Sequence, residues 1–272
     1  MRNRFTEQET EAFYDAEDAL YRSFWDSEGS LHWGWFDEST GQDFLKACAN
    51  LNKIMAEKAQ INDASNVLDV GCGNGNTAAW LSQRTGCRVT GIDLSGVRID
   101  NANSGLNELP AEIRSNLAFE KASATELPFE DGSFAHAWSQ ATIYHVHEKE
   151  KALQEIHRVL SEQGIFVFDD LIRPKRDISE TAQKFVYDRL LFETEFSFQT
   201  YQDALQSTGF RVMEAHDLSQ HLKKSYQCLS SMAQQKSADK DDKFQTLANA
   251  YDQMVTAIDN SELGWALYVC QK

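Results

Sequence analysis

The sequence predicts an α/β fold: a mostly parallel, seven-stranded sheet with helices on both faces and additional helical cover. Three observations predict it. The 272 residues contain seven short apolar runs of strand type, separated by stretches whose apolar residues recur at helical spacing. The first two runs and the helical stretch between them fit within about 30 residues, the size of one βαβ unit, which implies parallel pairing. A chain of this length buries a substantial core and accommodates one large domain, or a core domain with a lid.

Taken in order, Phe44, Leu45, Cys48, Leu51, Ile54 and Met55 mark a helix within 42–60. Residues 67–70 read as a buried strand ending in glycines, 77–84 as a helix, and 88–93 as a second strand ending in Asp93. A helix over 97–109, a strand over 117–120 and a turn-bounded apolar segment over 134–138 follow. Leu153, Ile156, Val159 and Leu160 share one helical face, and Gly164 then precedes a strand over 165–168. Beyond Asp170, Ile178, Ala182, Phe185 and Leu190 mark one helical segment; another runs from Thr200 and closes at Gly209 in a C-cap position. Residues 210–215 read as a late strand, 221–259 as helical with a solvated charged turn at 239–243, and 265–269 as the final strand.

Composition narrows the function classes. Forty-two acidic residues against 26 basic ones give a net charge of −16, a field that repels nucleic-acid phosphate and anionic membrane. No apolar run reaches the roughly 18 to 20 residues needed to span a bilayer, and Arg2 and Arg4 lead into polar residues rather than a signal-type apolar region. Five dispersed cysteines without a C-x-x-C pair indicate neither a disulfide framework nor a zinc knuckle, and a reducing, cytoplasmic compartment is expected.

The chemistry is announced by Asp69-Val70-Gly71-Cys72-Gly73-Asn74-Gly75 at the junction of the first strand and first helix. Glycines there permit a tight turn and close approach of a ligand to the backbone. Asp93 ends the next strand 18 residues after Gly75, where a carboxylate can accept both hydroxyls of a ribose. A nucleoside-type cofactor is therefore expected. The dinucleotide fingerprint wants Gly or Ala at position 76, which is Asn here, and no Gly-Lys-Ser/Thr follows, so a phosphate-bearing cofactor loses support.

Residues 67–69 with Gly71, Gly73 and Gly75, followed by Gly91-Ile92-Asp93-Leu94-Ser95, resemble the class I S-adenosylmethionine-dependent methyltransferases. The stretches 126–134 and 153–164 are similar to that fold's later motifs, in the right order. The resemblance implies a Rossmann-like core over 61–171, an N-terminal helical and aromatic lid over 1–60, and inserted helices plus sheet-completing strands over 172–272. Helical material in 1–60, 172–209 and 218–263 is then available as cover. Eight of the 25 residues over 12–36 are aromatic, against 11% in the whole chain. That segment resembles the small-molecule branch that includes tocopherol, sarcosine/dimethylglycine and sugar or sterol methyltransferases. The likeness implies that Tyr14, Trp25 and His32 lie near the sulfonium or its methionine tail, where aromatic faces suit a cation; packing of these rings into a lid helix is the competing account.

The same resemblance implies cofactor contacts from Asp69, Gly71, Gly73, Gly75, Asp93, Leu94, Ser123, Ala124 and Ser139. Methyl transfer needs mainly in-line approach of a dehydrated nucleophile. A hydroxyl or protonated amine must also lose a proton, for which an imidazole is suited. His145 stands where a histidine faces the acceptor in the resembling branch and is the candidate base, with a core or cofactor-orienting role as the alternative; Tyr144 is a second candidate to bond the acceptor. His145-x-His147 places its side chains on opposite faces of an extended segment, and no carboxylate cluster completes a metal shell. No metal is expected. The Asp/Asn-Pro-Pro-Tyr/Phe motif of enzymes that methylate amines in nucleic acids is absent.

Three positions depart from the family pattern. Ser123 stands where relatives usually carry an Asp that receives the adenine amino group, Arg98 where they often carry Gln, and Ala141 where many carry Asp or Glu near the acceptor. The expectation is a methyltransferase acting on a small-molecule O or N acceptor, with no nucleic-acid or membrane partner. A carbon or lipid methylator related to cyclopropane synthases, and a non-catalytic cofactor-binding protein, are the alternatives.

Overall fold

The computed structural model describes residues 5–22, 32–192, 194–237 and 242–272. Seven strands form one sheet: β1 (Asn66–Val70), β2 (Arg88–Asp93), β3 (Leu117–Lys121), β4 (Phe134–Gln140), β5 (Leu160–Ile172), β6 (Arg211–Asp217) and β7 (Gly264–Gln271), in the order β3-β2-β1-β4-β5-β7-β6. The first five pair in parallel, and β7 runs antiparallel to both β5 and β6. The fold class expected from sequence is the one observed.

The helices are α1 (Glu7–Arg22), α2 (Phe44–Lys58), α3 (Asn76–Thr85), α4 (Gly96–Gly105), α5 (Ala111–Arg114), α6 (Lys149–Val159), α7 (Glu180–Ala182), α8 (Phe198–Thr208), α9 (Ser219–Ser237) and α10 (Asp242–Asp259). Strand alternation divides the interior into two cores. Val67, Trp138, Val167, Trp265 and Leu267 face one side, where they meet Leu51 and Met55 of α2, Leu81 of α3 and Tyr251 and Met254 of α10. Leu68, Ala137, Phe166, Phe168 and Tyr268 face the other, against Leu153 and Ile156 of α6 and Tyr201 and Leu205 of α8. No helix among the described residues is long and apolar enough to cross a membrane.

Two helices expected to serve as cover, α2 and α8, instead pack directly on the sheet. Each is amphipathic, and a seven-stranded sheet needs several apolar stripes to dry each face. Helix α8 starts in a capping box at Ser197 and ends at Gly209, whose φ of 113° continues the chain where a side chain would be strained. The segment marked by Ile178 to Leu190 is less regular than its spacing predicts. Only α7 is α-helical; residues 183–188 widen into a π-helical turn, and Leu191 leaves it at φ 49°. Strand β4 runs two residues beyond its expected end at Trp138, which matters for the site.

The motifs at 126–134 and 153–164 prove to be halves of one clamp. The Arg158 guanidinium donates to the carbonyls of Leu127 and Phe129 and to the carboxylates of Glu155 and Asp131, and the Leu127 N–H donates to Glu155. Glu155 is held below the usual carboxylate range by this bond to Arg158. The fork ties the loop before β4 to α6. Replacing Arg158 with Ala removes it and strands two carbonyls and a carboxylate, so a loss of about 2–3 kcal/mol in urea unfolding is expected. Arg158→Lys should recover less than half, because an ammonium cannot reproduce the planar fork.

Candidate active site

The sheet order reverses between β1 and β4, and the crevice at their carboxyl ends is where ligands bind in such sheets. Strand β1 leaves the sheet through Gly71, whose φ is 81° and whose N–H, with that of Cys72, donates to the Ile92 carbonyl at 2.8 and 2.9 Å. A Cβ at Gly71 would lie 2.2 Å from the Thr142 side chain, so the segments leaving β1 and β4 touch there. At Gly75 a Cβ would meet the Phe119 ring at 2.6 Å. Gly73 differs, because a Cβ there would have only Arg98 Nη1 near it, at 3.6 Å. The loop is therefore closed toward the protein at both ends and open at its middle glycine.

That opening faces a cavity of ≈ 1100 Å³, counting the space at its mouth, a size suited to a small organic cofactor. One wall is the glycine loop with Asp69, and a second is Asp93, Leu94 and Ser95. Ala122 and Ala124 line the β3 end, and Gln140, Ala141, Thr142 and His145 the β4 end. Helix α1 forms a roof through Glu7, Thr10, Glu11 and Tyr14, one stripe at helical spacing. Bonds from Ser123 to Glu7, Lys121 to Glu11 and Ser95 to Asp15 hold the roof down.

The electrostatics is dominated by buried acids. Asp93 accepts the Gly73 N–H at 3.0 Å and the Ser95 N–H at 2.8 Å, one on each oxygen, which leaves each a further lone pair. Burial raises its pKa, against the pull of Arg98 and the two N–H donors. Asp69 is 2% exposed, and its Oδ2 has no hydrogen-bond partner among the described residues. Burial, with the charge of Asp93 added, pushes its carboxyl up to about 7. Arg98 is buried, with its guanidinium 4.2 Å from the centre of the Tyr14 ring.

His145 belongs to a single 3₁₀ turn, Ile143–His145, held from beneath. Asp170, two residues before the end of β5, accepts the Tyr144 N–H at 2.8 Å and the Tyr201 hydroxyl at 2.9 Å, while the buried Lys149 ammonium donates to the Tyr144 and Val146 carbonyls. The His145 Nδ1–H donates to the Leu191 carbonyl at 3.3 Å, which assigns the lone pair to Nε2, where the Tyr14 hydroxyl donates. Burial pushes the imidazole pKa down to about 3; the Leu191 bond opposes this, and Lys149 and Arg98 reinforce it. The ring is a neutral acceptor facing the cavity.

Of the residues singled out from sequence, Tyr14, His32, Asp69, Gly71, Gly73 and Asp93 line the cavity, as do Leu94, Ala124 and His145. Four do not. Because β4 runs on to Gln140, Ser139 is still inside the sheet, fully buried, and its hydroxyl donates to the Val70 carbonyl at 2.8 Å. Tyr144 is buried beside the His145 ring, at 3.9 Å between ring centres, with Trp33 and Phe192 around it and its hydroxyl hydrogen-bonded to Tyr14. Ser123 is not itself a lining residue but bonds to Glu7, which is, and to Thr125, and Gly75 packs on Phe119. Trp25 lies outside the described residues. Glu7, Thr10 and Glu11 were not anticipated, although their spacing from Tyr14 is a helical stripe; Arg98 was noted only as a departure, and Gln140 and Thr142 were placed in the segment without a role.

An S-adenosylmethionine-type cofactor fits this donor set. Asp93 keeps lone pairs for a ribose, Gly73 leaves the backbone open to close approach, and the buried Asp69 oxygen calls for a positively charged or hydrogen-bond-donating group. Comparison with known proteins agrees. Residues 68–168 match the family model described as a methyltransferase domain. The chain is 28% identical over 218 residues to the (+)-O-methylkolavelool synthase of Herpetosiphon aurantiacus, covering 80% of this chain and 75% of that one. It is 28% identical over 236 residues to the sarcosine/dimethylglycine N-methyltransferase of Halorhodospira halochloris, covering 83% and 81%. The crystal structure of a putative sarcosine dimethylglycine methyltransferase from Galdieria sulphuraria superposes with a TM-score of 0.84 at 20% identity, over 95% of this chain and 98% of that one. Residues 68–168, with their glycine loop and ribose-type acid, thus form a methyltransferase domain, and over most of its length the chain is similar to curated small-molecule methyltransferases.

Proposed function

We propose that the chain transfers a methyl group directly to an oxygen of a small-molecule acceptor, with His145 receiving the acceptor's proton. The observation that carries this reading is the Nε2 lone pair of a neutral, buried imidazole on the cavity wall, at the β4 side of the crevice. When bound, S-adenosylmethionine supplies a methyl already activated for displacement. The work left to the protein is positioning, desolvation and one proton transfer. Asp93 would hold the ribose hydroxyls, Asp69 the cationic amino-acid end, and the Gly71 to Gly73 backbone the intervening chain. The α1 roof keeps water from the reacting atoms.

The low pKa of His145 bears on the acceptor. An oxygen becomes strongly acidic as it gains a methyl group, so even a weak base can take its proton. A protonated amine would have to yield its proton to a group far less basic than itself. The names of the two curated relatives include an O-methylated product and an N-methyltransferase, and the character of His145 favours the oxygen reading over the nitrogen one. An alkene acceptor would present His145 with no O–H proton at all.

Isothermal titration should show binding of S-adenosylmethionine and of S-adenosylhomocysteine, and binding of neither would overturn the assignment. Asp93→Ala should weaken both by about 10- to 100-fold, through loss of hydrogen bonds to a charged acceptor. His145→Gln, assayed against a panel of hydroxylated small molecules, should lower kcat by about 10²- to 10⁴-fold while cofactor affinity stays within about threefold. Full retention of kcat would remove His145 from the chemistry.

The pH dependence separates the two acids and bases. Asp69 must be ionised to attract a cationic ligand and titrates near pH 7, so cofactor affinity should rise between pH 6 and 8 with release of a proton. Asp69→Asn should abolish that rise. At saturating cofactor, kcat should show no acid limb near pH 6.5, because His145 stays neutral down to about pH 3. A limb there would mean that the imidazole titrates as an ordinary histidine.

A further inference from the structure

The sheet order sets which way the cofactor lies, given the reading of the crevice as an S-adenosylmethionine site. The methyl end belongs between β1 and β4, beside Thr142 and His145, and the ribose belongs at Asp93, the end of β2. The purine must then extend toward the next strand outward, β3, into the space lined by Leu94, Ala122 and Ala124 and roofed by the first turn of α1. Small apolar side chains suit the flat faces of a base, and its exocyclic amino group needs an acceptor at the edge.

Ser123 cannot be that acceptor in full. Its hydroxyl proton goes to Glu7 at 2.6 Å, and its oxygen already accepts the Thr125 N–H at 3.1 Å, with Thr125 Oγ1 at 2.8 Å. A carboxylate accepts about four hydrogen bonds, of which Ser123 takes one from Glu7. Glu7 is also placed with purpose by the helix start. Thr6 and Glu9 form a reciprocal capping box, with the Thr6 N–H donating to Glu9 at 2.7 Å and the Glu9 N–H to Thr6 at 3.2 Å. Glu9 is thereby spent on the helix end, and Glu11 on Lys121, which leaves Glu7 as the roof acid at the β3 end of the cavity.

We propose that Glu7 reads the base, its carboxylate accepting the proton of the purine amino group, so that recognition of adenine comes from the roof helix rather than from the sheet. Glu7 and Tyr14 stand seven residues apart on one stripe, about 10 Å along the helix axis. One rigid helix therefore touches the base with its first turn and the methyl end with its second, and a base that fails to engage Glu7 leaves the roof over His145 less firmly seated.

The test is a titration of the whole protein with S-adenosylhomocysteine and with S-inosylhomocysteine, in which a carbonyl replaces the amino group. The wild type should prefer the adenine compound by about 10- to 100-fold, since a carbonyl turned toward a carboxylate repels it. Glu7→Ala should lose most of that preference by weakening the adenine compound and not the inosine one. Adding Ser123→Asp to Glu7→Ala puts a carboxylate into nearly the same space and should restore the preference. An unchanged ratio in Glu7→Ala, whether affinities are kept or fall equally for both compounds, would overturn the proposal. Failure of the wild type to bind either compound would instead overturn the cofactor reading on which the proposal rests.

Discussion

The site depends on one steric constraint: the segments leaving β1 and β4 pass so close that residue 71 has no room for a side chain. Thr142 lies where a Cβ would be, and Gly71 itself is in the left-handed region. On the other side of that contact Ala141 accepts a φ of 51°, an uncommon conformation for a residue with a Cβ and one whose strain the neighbouring strands hold in place. From this crossing follow the direction of the glycine loop, the opening at Gly73 and the position of the His145 turn. A branched residue at 71 would displace all three together.

A second dependence is electrostatic. Asp169 and Asp170, near the carboxyl end of β5, are both fully buried, and burial raises both carboxyls, that of Asp169 to about 8. Asp170 holds the backbone of the His145 turn, with Lys149 close enough to lower the cost of its charge. Asp169 accepts the Trp265 indole N–H at 2.8 Å and so pins β7, the antiparallel strand, at the same level of the sheet. The polar layer under the crevice thus does two jobs: it orients an imidazole and fixes β7, the antiparallel strand between β5 and the edge strand β6.

The parts legible in the sequence are those governed by local rules. Short apolar runs set between stretches of helical spacing located every strand, and the glycine loop with Asp93 marked the crevice, because tight turns and close backbone approach demand particular residues at particular steps. What was not legible depends on where a strand stops and on which distant helix lies above it. Two extra residues on β4 move Ser139 from the cavity into the ladder, so that the cavity is lined instead by Gln140, the last paired residue, and by Ala141 and Thr142 beyond it. Of two adjacent residues in one 3₁₀ turn, His145 lines the cavity and Tyr144 is buried beside it, a division that spacing in the sequence does not report. The meeting of Glu7 with Ser123 spans 116 positions, and no short-range pattern reports it.

The bond between Tyr14 and His145 has a consequence for the order of events. Nε2 carries a single lone pair, and Nδ1 is committed to Leu191, so the imidazole serves either the phenol or an incoming hydroxyl, never both. Under the proposed function the tyrosine would therefore act as a stopper, holding with its own hydroxyl the place an acceptor hydroxyl would take. On the proposed reading, an acceptor would have to win an exchange against a tethered competitor of fixed local concentration, which a weakly bonding molecule would lose.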